Sequence, residues 1–394
     1  MDTKGCRTYL SVILSICFCF GIAFGMVNTV KSPELYASSN DNSVTTHFIY
    51  VGQGDASLII LPDGRTMLID AGSRANQDDL IKYIKNLKID TIDIFLVTHA
   101  DSDHCGGASA ILQNFKVNYV FRPFTIAQSL ANTTFKDDLL NWGFSEDEIL
   151  TVNNEDYADF ISSAYSYAGA VYTVSNKTVE SCLFSQNEDI YSIKFLYPFA
   201  VEDGAFKTTK TSGYKVDYSS ESNDLSAVVA IDYNNSAILF MGDADTTVEK
   251  QLLNESQNNS TLATILSNTK ILKVAHHGSN DATSAEFLNA ILPNYAVISC
   301  GKNNVYGHPN LDVLTRLNNY CGEERVFVTK DSGSVIVSIN NVGLVDVKIV
   351  TNDPVKINSV ILYIFIVLTI LVILTIIIYS KKTEKDKKSK ISTL

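Results

Sequence analysis

Four side chains of metal-binding type fall within six residues in Thr98-His99-Ala100-Asp101-Ser102-Asp103-His104-Cys105-Gly106-Gly107, directly after the apolar run Ile92-Asp93-Ile94-Phe95-Leu96-Val97. The β-branched and aromatic run reads as a buried strand. The loop after it interleaves imidazoles with carboxylates, a pattern that an ordinary surface loop does not need. A chain built this way has to end a core strand at a metal site, and hydrolysis is the chemistry expected there.

The remaining histidines extend the pattern. Of six in the chain, five fall in three short motifs: His99 with His104, His276-His277-Gly278-Ser279, and His308 in Tyr306-Gly307-His308-Pro309. Each motif follows an expected strand at a glycine-containing loop, where turns can bring distant residues to one rim. Asp243 holds the equivalent position after Phe240-Met241. The sixth, His47, sits within a strand pattern and reads as a packing or surface residue.

Strands are expected at 46–51, 57–61 and 66–70, joined by Gly52-Gln53-Gly54-Asp55 and Pro62-Asp63-Gly64 into an antiparallel meander. A helix over 77–87, the strand 92–97, the metal motif and a helix over 107–115 follow. From about 128 to 188 the pattern is irregular and rich in Asn, Ser, Tyr and acidic residues, which reads as an insertion with a helix near 136–142. Strands at 191–197, 225–233 and 237–241, a helix over 246–253, strand 271–275, helix 284–291, strand 295–299, helix 311–319 and three strands over 325–349 complete the pattern. Two β-rich halves with helices predict an α/β fold, an αβ/βα sandwich with its sites at strand ends.

The ends are of another kind. Residues 9–30 are almost uncharged behind Lys4 and Arg7, and 357–379 form an uncharged, largely apolar run long enough to span a bilayer. Residues 1–30 are expected to be a signal anchor or signal peptide, 31–43 a polar tether, 44–350 the folded domain, 357–379 a transmembrane helix and 380–394 a basic cytoplasmic tail. Six lysines in that tail assign the C-terminus to the cytoplasm and the domain to the outside. With +1 from residues 1–30 and +4 from 381–394, the net charge of −12 leaves −17 for residues 31–380. So acidic a domain disfavours tight, extended nucleic-acid binding, though bound cations would offset the field locally. Outside the N-terminal segment the cysteines are Cys105, Cys182, Cys300 and Cys321, with no Cys-x-x-Cys pair. A disulfide among the last three is open, and Cys105 can support the metal motif.

Taken together, His-x-Asp-x-Asp-His, Gly-Asp, His-His-Gly-Ser and Gly-His-Pro resemble the metallo-β-lactamase superfamily. More closely, Val51-Gly52-Gln53-Gly54-Asp55-Ala56, Leu68-Ile69-Asp70-Ala71-Gly72 and Lys273-Val274-Ala275-His276-His277-Gly278-Ser279 resemble the extracytoplasmic hydrolase domain of ComEC-type competence proteins, and similar motifs occur in surface phosphorylcholine esterases. The resemblance spans roughly 44–350 and implies a four-layer αβ/βα metallo-β-lactamase-like sandwich, flanked here by N- and C-terminal membrane helices.

It further implies two divalent metal ions, with His99 and Asp101 on one, Asp103 and His104 on the other, and Asp243 as the bridge. The late ligand is His276 or His277, and both stay open. Asp101 stands where the wider superfamily has histidine, and no histidine lies between His104 and His276. Oxygen-rich ligation brings Mn forward beside Zn. Asp103 is the first candidate to orient the attacking water, and His308 is either a further metal ligand or, as favoured here, a phosphate-binding and acid group. Gly278 and Ser279 can offer an N–H and a hydroxyl to phosphate, with Asn303 and Tyr306 on a polar loop at the same rim, while Asp70 is expected to support a ligand from behind.

The function expected is that of a membrane-tethered, metal-dependent hydrolase of phosphoesters, a phosphodiesterase or nuclease-like enzyme acting on nucleic acid or a cell-envelope phosphodiester. With two apolar spans the sequence does not supply a DNA channel, so a separate channel or surface partner is expected. The alternative is a non-catalytic, metal-stabilised binding or assembly component of a surface or DNA-uptake system.

Overall fold

Alternation along the strand that precedes the metal motif sends Phe95 and Val97 to one apolar core and Ile94 and Leu96 to another. A strand buried on both faces needs a layer on either side. The computed structural model supplies both, and describes residues 42–141, 149–174, 191–200, 206–207, 223–350 and 381. Both sheets and their helices lie in the first of two units, residues 1–350.

The first sheet has eight strands, in the order Val345–Val350, Ser334–Asn340, Ser43–Phe48, Ser57–Ile60, Thr66–Ile69, Thr91–Leu96, Lys116–Arg122 and Ala170–Thr173. The second has six: Val326–Val328, Tyr295–Ile298, Thr269–Lys273, Ser236–Phe240, Val228–Tyr233 and Tyr191–Tyr197. Each sheet is antiparallel on one side and parallel on the other. Thr66–Ile69 pairs in parallel with Thr91–Leu96, as Ser236–Phe240 does with Thr269–Lys273 and the latter with Tyr295–Ile298.

Between the sheets, Phe48, Met67, Ile94 and Phe121 meet Phe195, Ile231, Phe240 and Val297. Outside the first sheet pack helices Gln77–Asn86, Ala108–Asn114 and Glu155–Tyr167, through Leu80, Ile84, Ile111, Tyr157 and Phe160. Outside the second pack Thr246–Ser256, Ser260–Ser267, Ala285–Ile291 and Leu311–Cys321, through Val248, Leu252, Ile265, Phe287, Val313 and Leu317. The layers therefore run helix, sheet, sheet, helix, the αβ/βα sandwich that the sequence pattern implies.

Differences from the sequence reading have physical causes. Within the stretch read as an insertion, Glu155–Tyr167 buries Tyr157, Phe160, Ile161 and Ala164 in the first core, and Ala170–Thr173 adds an edge strand to the first sheet. Asn154 starts that helix by accepting from the Asp156 and Tyr157 amides. Cys300 and Cys321 are buried free thiols, so they do not pair with each other, and Cys105 lies in the first core with its Sγ against the Ala100 carbonyl. Cys182 lies outside the described residues. Among those residues no helix is long and apolar enough to cross a membrane. The anchor at 1–30, most of the tether, the span 357–379 and nearly all of the basic tail lie outside them.

Candidate metal centre

Five loops leave the C-terminal ends of parallel strands on one rim, the position at which open α/β sheets carry their sites. Asp70 follows Thr66–Ile69, the motif His99–His104 follows Thr91–Leu96, Asp243 follows Ser236–Phe240, His276-His277 follow Thr269–Lys273, and Ser299 to His308 follow Tyr295–Ile298. The helical turn Ser102–Cys105 closes on the Asp101 carbonyl, which accepts from the His104 and Cys105 amides. That turn brings Asp103 and His104 toward the second sheet.

The buried imidazoles are fixed from behind. His104 donates from Nδ1 to Asp70 Oδ2 at 2.8 Å, and Thr98 donates to the same carboxylate from its amide and its hydroxyl, both at 2.8 Å. Because the Thr98 hydroxyl hydrogen is used on Asp70, its oxygen accepts from His99 Nδ1 at 3.1 Å. One carboxylate thus sets the tautomer of His104 directly and of His99 through Thr98. His277 donates from Nδ1 to the Ser299 carbonyl at 2.9 Å, and His276 from Nδ1 to Asp281 at 3.0 Å. In the neutral rings all four Nε2 atoms are therefore left with a lone pair and no hydrogen.

Those lone pairs converge. His104 Nε2 lies 3.3 Å from His277 Nε2 and 3.2 Å from Asp243 Oδ1, and His277 Nε2 lies 3.1 Å from Asp103 Oδ2 and 3.6 Å from Asp243 Oδ2. On the other side of Asp243, His99 Nε2 stands 3.8 Å and His276 Nε2 3.9 Å from Oδ2, with Asp101 Oδ2 3.7 Å from His99. His99 Nε2 and Asp243 Oδ1 are buried without a hydrogen-bond partner. Electron-pair donors packed together with nothing to accept them carry a large cost unless a cation joins them. This is the fit expected for divalent ions at an inner position (Asp103, His104, Asp243, His277) and an outer one (His99, Asp101, Asp243, His276).

The electrostatics agree with that fit. Burial opposes charge on His104 and His277, but Asp243, with Asp70 on one and Asp103 on the other, outweighs it and raises both above the ordinary imidazole value. Burial likewise works against Asp103 and Asp243, yet the imidazoles hold both carboxylates well below their usual range. In the absence of a cation the site draws protons to itself.

The paired histidines part because of their backbone. His276 (φ 46°) and His277 (φ 53°) both occupy the left-handed region, followed by Gly278 at φ 80°. Each such non-glycine residue costs about 1–3 kcal/mol, and strain of this kind collects at functional sites. The tight bend turns His277 to the inner position and His276 to the outer one. A side chain at Gly278 would meet Pro309 Cβ at 2.7 Å.

The other predicted residues line the rim. The His308 ring is half-buried, 5.6 Å from the His276 ring and 6.3 Å from the His277 ring, and burial with those two neighbours lowers its pKa. Tyr306 is 69% exposed, with its ring 5.7 Å from His308. Asn303 is exposed, and its neighbour Asn304 holds the loop by bonding the Gly301 and His308 carbonyls and the His308 amide. The Ser279 amide is engaged by the His276 carbonyl and its hydroxyl by Asp281.

Four further polar residues, outside the set of ligands and rim residues expected from the sequence, reach the site. Asn223 Nδ2 is 3.4 Å from His276 Nε2, and Ser226 Oγ accepts from the Asp243 amide at 2.9 Å. Asn154 Nδ2 donates to the Ala100 carbonyl at 2.6 Å, and the carboxylate of Asp55 lies among the inner ligand atoms. The turn Gly52–Asp55 is visible as a motif in the sequence, and Asn223-Asp224 as a cap or turn before a strand; Ser226 and Asn154 are single polar residues with no local signal.

Residues 49–124, which carry Asp55, Asp70 and His99–His104, match the Metallo-beta-lactamase superfamily profile. The chain is 25% identical over 304 residues to ComE operon protein 3 of Bacillus subtilis, covering 73% of this chain and 32% of that protein. It is 25% identical over 323 residues to Recombination protein 2 of Haemophilus influenzae, covering 80% and 31%. Competence protein ComA of Neisseria gonorrhoeae is 36% identical over 97 residues, 25% of this chain and 13% of that protein. The chain spans about a third of the length of the first two relatives.

Proposed function

We propose that this metallo-β-lactamase-like chain, similar to competence proteins, is a metal-dependent hydrolase of phosphodiesters, tethered to a membrane with its site on the extracytoplasmic side. One observation carries the enzymatic reading. His104 and His277 aim bare Nε2 atoms at each other and at Asp243, and the buried Nε2 of His99 lacks a partner on the far side of that carboxylate. The array suits two divalent ions with Asp243 between them, Zn or Mn.

Such ions, when bound, polarise a phosphoryl oxygen and supply a nucleophile from water at neutral pH. The chain's own part is to hold and orient. Asp70 locks His99 and His104, the Ser299 carbonyl locks His277, and Asp281 locks His276. Asp103 keeps its charge beside His277, so it can orient a water and take a hydrogen bond from it. His308, kept neutral by burial and two neighbouring imidazoles, can contact phosphate at the open side of the rim. Gly278 and Ser279 border that opening, and Asn303 and Tyr306 stand where the chain flanking a scissile phosphate would lie.

The competence relatives support nucleic acid as substrate, while the acidic domain supports a cell-envelope phosphodiester as its rival. Tethering rests on the apolar runs at 9–30 and 357–379 and on the lysine tail. The test is direct. The full chain purified in detergent is assayed on single-stranded DNA, a cyclic dinucleotide and bis-p-nitrophenyl phosphate with Mn²⁺ or Zn²⁺. Turnover that needs metal and is lost in His99→Ala and His277→Ala supports the reading; no metal-dependent turnover on any of the three overturns it in favour of a non-catalytic assembly component.

A further inference from the structure

Asp55 is 3% exposed and belongs to none of the histidine motifs. Its Oδ2 accepts from Lys273 Nζ at 2.6 Å, while its Oδ1 is buried with no partner. The carboxylate lies within 4.8 Å of the ligand atoms of His104, Asp243 and His277. A buried carboxylate oxygen left empty beside three electron-pair donors needs a cation. Lys273 Nζ does not reach Oδ1; it bonds Oδ2 and donates a second hydrogen to the Val274 carbonyl at 3.0 Å.

The backbone keeps this carboxylate in register with both halves of the site. The Asp55 amide donates to the Asp103 carbonyl at 3.1 Å, and the Asp55 carbonyl accepts from Gly72 at 2.7 Å. Gly54, at φ 131°, lies so close to the Asp103 carbonyl that a Cβ would collide with it. The side chain meanwhile reaches the last residue of Thr269–Lys273, the strand that leads into His276 and His277. Asp55 thus moves with Asp103 on the first sheet and is tied to the histidine bend on the second.

We propose that Asp55 is a further metal ligand at the inner position and that Lys273 is its positioning residue, gripping one carboxylate oxygen so that the other faces the ion. Charge supports the assignment: Asp55, Asp103 and Asp243 against Lys273 leave two negative charges, which one divalent ion neutralises. Donor chemistry adds a selectivity. Three carboxylates with two imidazoles exceed the four donors of a tetrahedral zinc site and suit a harder ion of higher coordination number, so the inner position favours Mn²⁺ over Zn²⁺. The inference rests on the metal-centre reading but not on any substrate.

The test reads metal, not turnover. Mn²⁺ and Zn²⁺ affinities of the full chain are measured by titration calorimetry, with Mn²⁺ electron paramagnetic resonance, for wild type, Asp55→Asn, Lys273→Met and the double variant. Asp55→Asn is expected to weaken Mn²⁺ at one position about tenfold or more, with a smaller loss for Zn²⁺. Lys273→Met is expected to lower the Mn²⁺ preference, with no further loss of Mn²⁺ affinity when it is added to Asp55→Asn. Mn²⁺ affinity within twofold of wild type in Asp55→Asn overturns the proposal.

Breaking a buried ion pair can prevent folding. A wild-type crystal grown with MnCl₂ and read by anomalous scattering therefore decides in any case. Manganese bonded to Asp55 Oδ1 upholds the assignment even if no phosphodiester is cleaved. Manganese among His104, Asp243 and His277 with Asp55 outside its shell overturns the assignment alone, and no manganese in the pocket overturns it together with the two-metal reading.

Discussion

His104 and His277 face each other across 3.3 Å, each having spent its Nδ1 hydrogen on a separate acceptor, Asp70 for one and the Ser299 carbonyl for the other. Two lone pairs at that distance repel, and a proton or a metal ion must lie between them. The metal-free protein meets the demand with protons, which couples its stability to pH.

The sign follows from the direction of each shift. His104 and His277 have folded pKa values above the ordinary 6.5, so their contribution is whole below 6.5 and is lost as pH rises through the raised values. Asp103 and Asp243, depressed below 3.8, contribute above 3.8 and lose that contribution only as pH falls through their lowered values. Metal-free protein should therefore lose thermal stability as pH rises above 6.5, while the increase in Tm on adding Mn²⁺ or Zn²⁺ should grow over the same range. Differential scanning calorimetry with and without metal measures both; a metal-induced increase that shrinks with rising pH would contradict the scheme.

Asp70→Asn should weaken both metal positions. It disturbs the tautomer of His104 directly and of His99 through Thr98, and loss of such an outer partner costs about 10–100-fold in metal affinity. Equilibrium dialysis against buffered Zn²⁺ reads the effect. If only one position weakens, the relay through Thr98 is disproved.

His47 tests the core rather than the site. It is wholly buried, hydrogen-bonded to Tyr83 through Nδ1 at 3.0 Å, and burial lowers its pKa to about 4. The unfolded chain takes up its proton near 6.5 and the folded chain only near 4, so stability falls as pH drops across that interval, by about 3 kcal/mol. Urea titrations of His47→Leu should show a flatter decline between pH 6.5 and 4 than wild type, whatever the offset at pH 7.

Tyr306 separates substrate classes. A base stacked on an exposed aromatic is worth about 1–3 kcal/mol, so Tyr306→Ala should raise KM for single-stranded DNA about 5–150-fold and leave bis-p-nitrophenyl phosphate turnover within twofold. An equal loss on both substrates would show that the tyrosine supports the loop instead.

Much of this candidate centre is legible before any fold is known, because its candidate ligands come in local clusters at strand ends. His99 to His104 announce themselves through spacing, and Leu80 and Ile84 through helical periodicity. Asp55 shows only as part of the Gly52–Asp55 turn and not as a ligand, since its partner Lys273 lies 218 residues away. Glu155–Tyr167 is hidden for another reason: Tyr157, Phe160, Ile161 and Ala164 follow helical spacing, but the serines and tyrosines around them blur the apolar stripe. The choice between His276 and His277 depends on two successive left-handed residues, a backbone property that side-chain pattern does not encode.

Neither sheet owns a complete donor set. The first contributes His99, Asp101, Asp103 and His104, the second Asp243, His276 and His277, and the approaches of His99 and His104 to Asp243 and of His277 to Asp103 cross the seam between the two sheets. Metal release and separation of the sheets are therefore one equilibrium seen from two ends. A chelator should loosen the amides of the inter-sheet core as surely as it empties the site, and a lesion that spreads the sheets should read out as lost metal even when it lies far from any ligand.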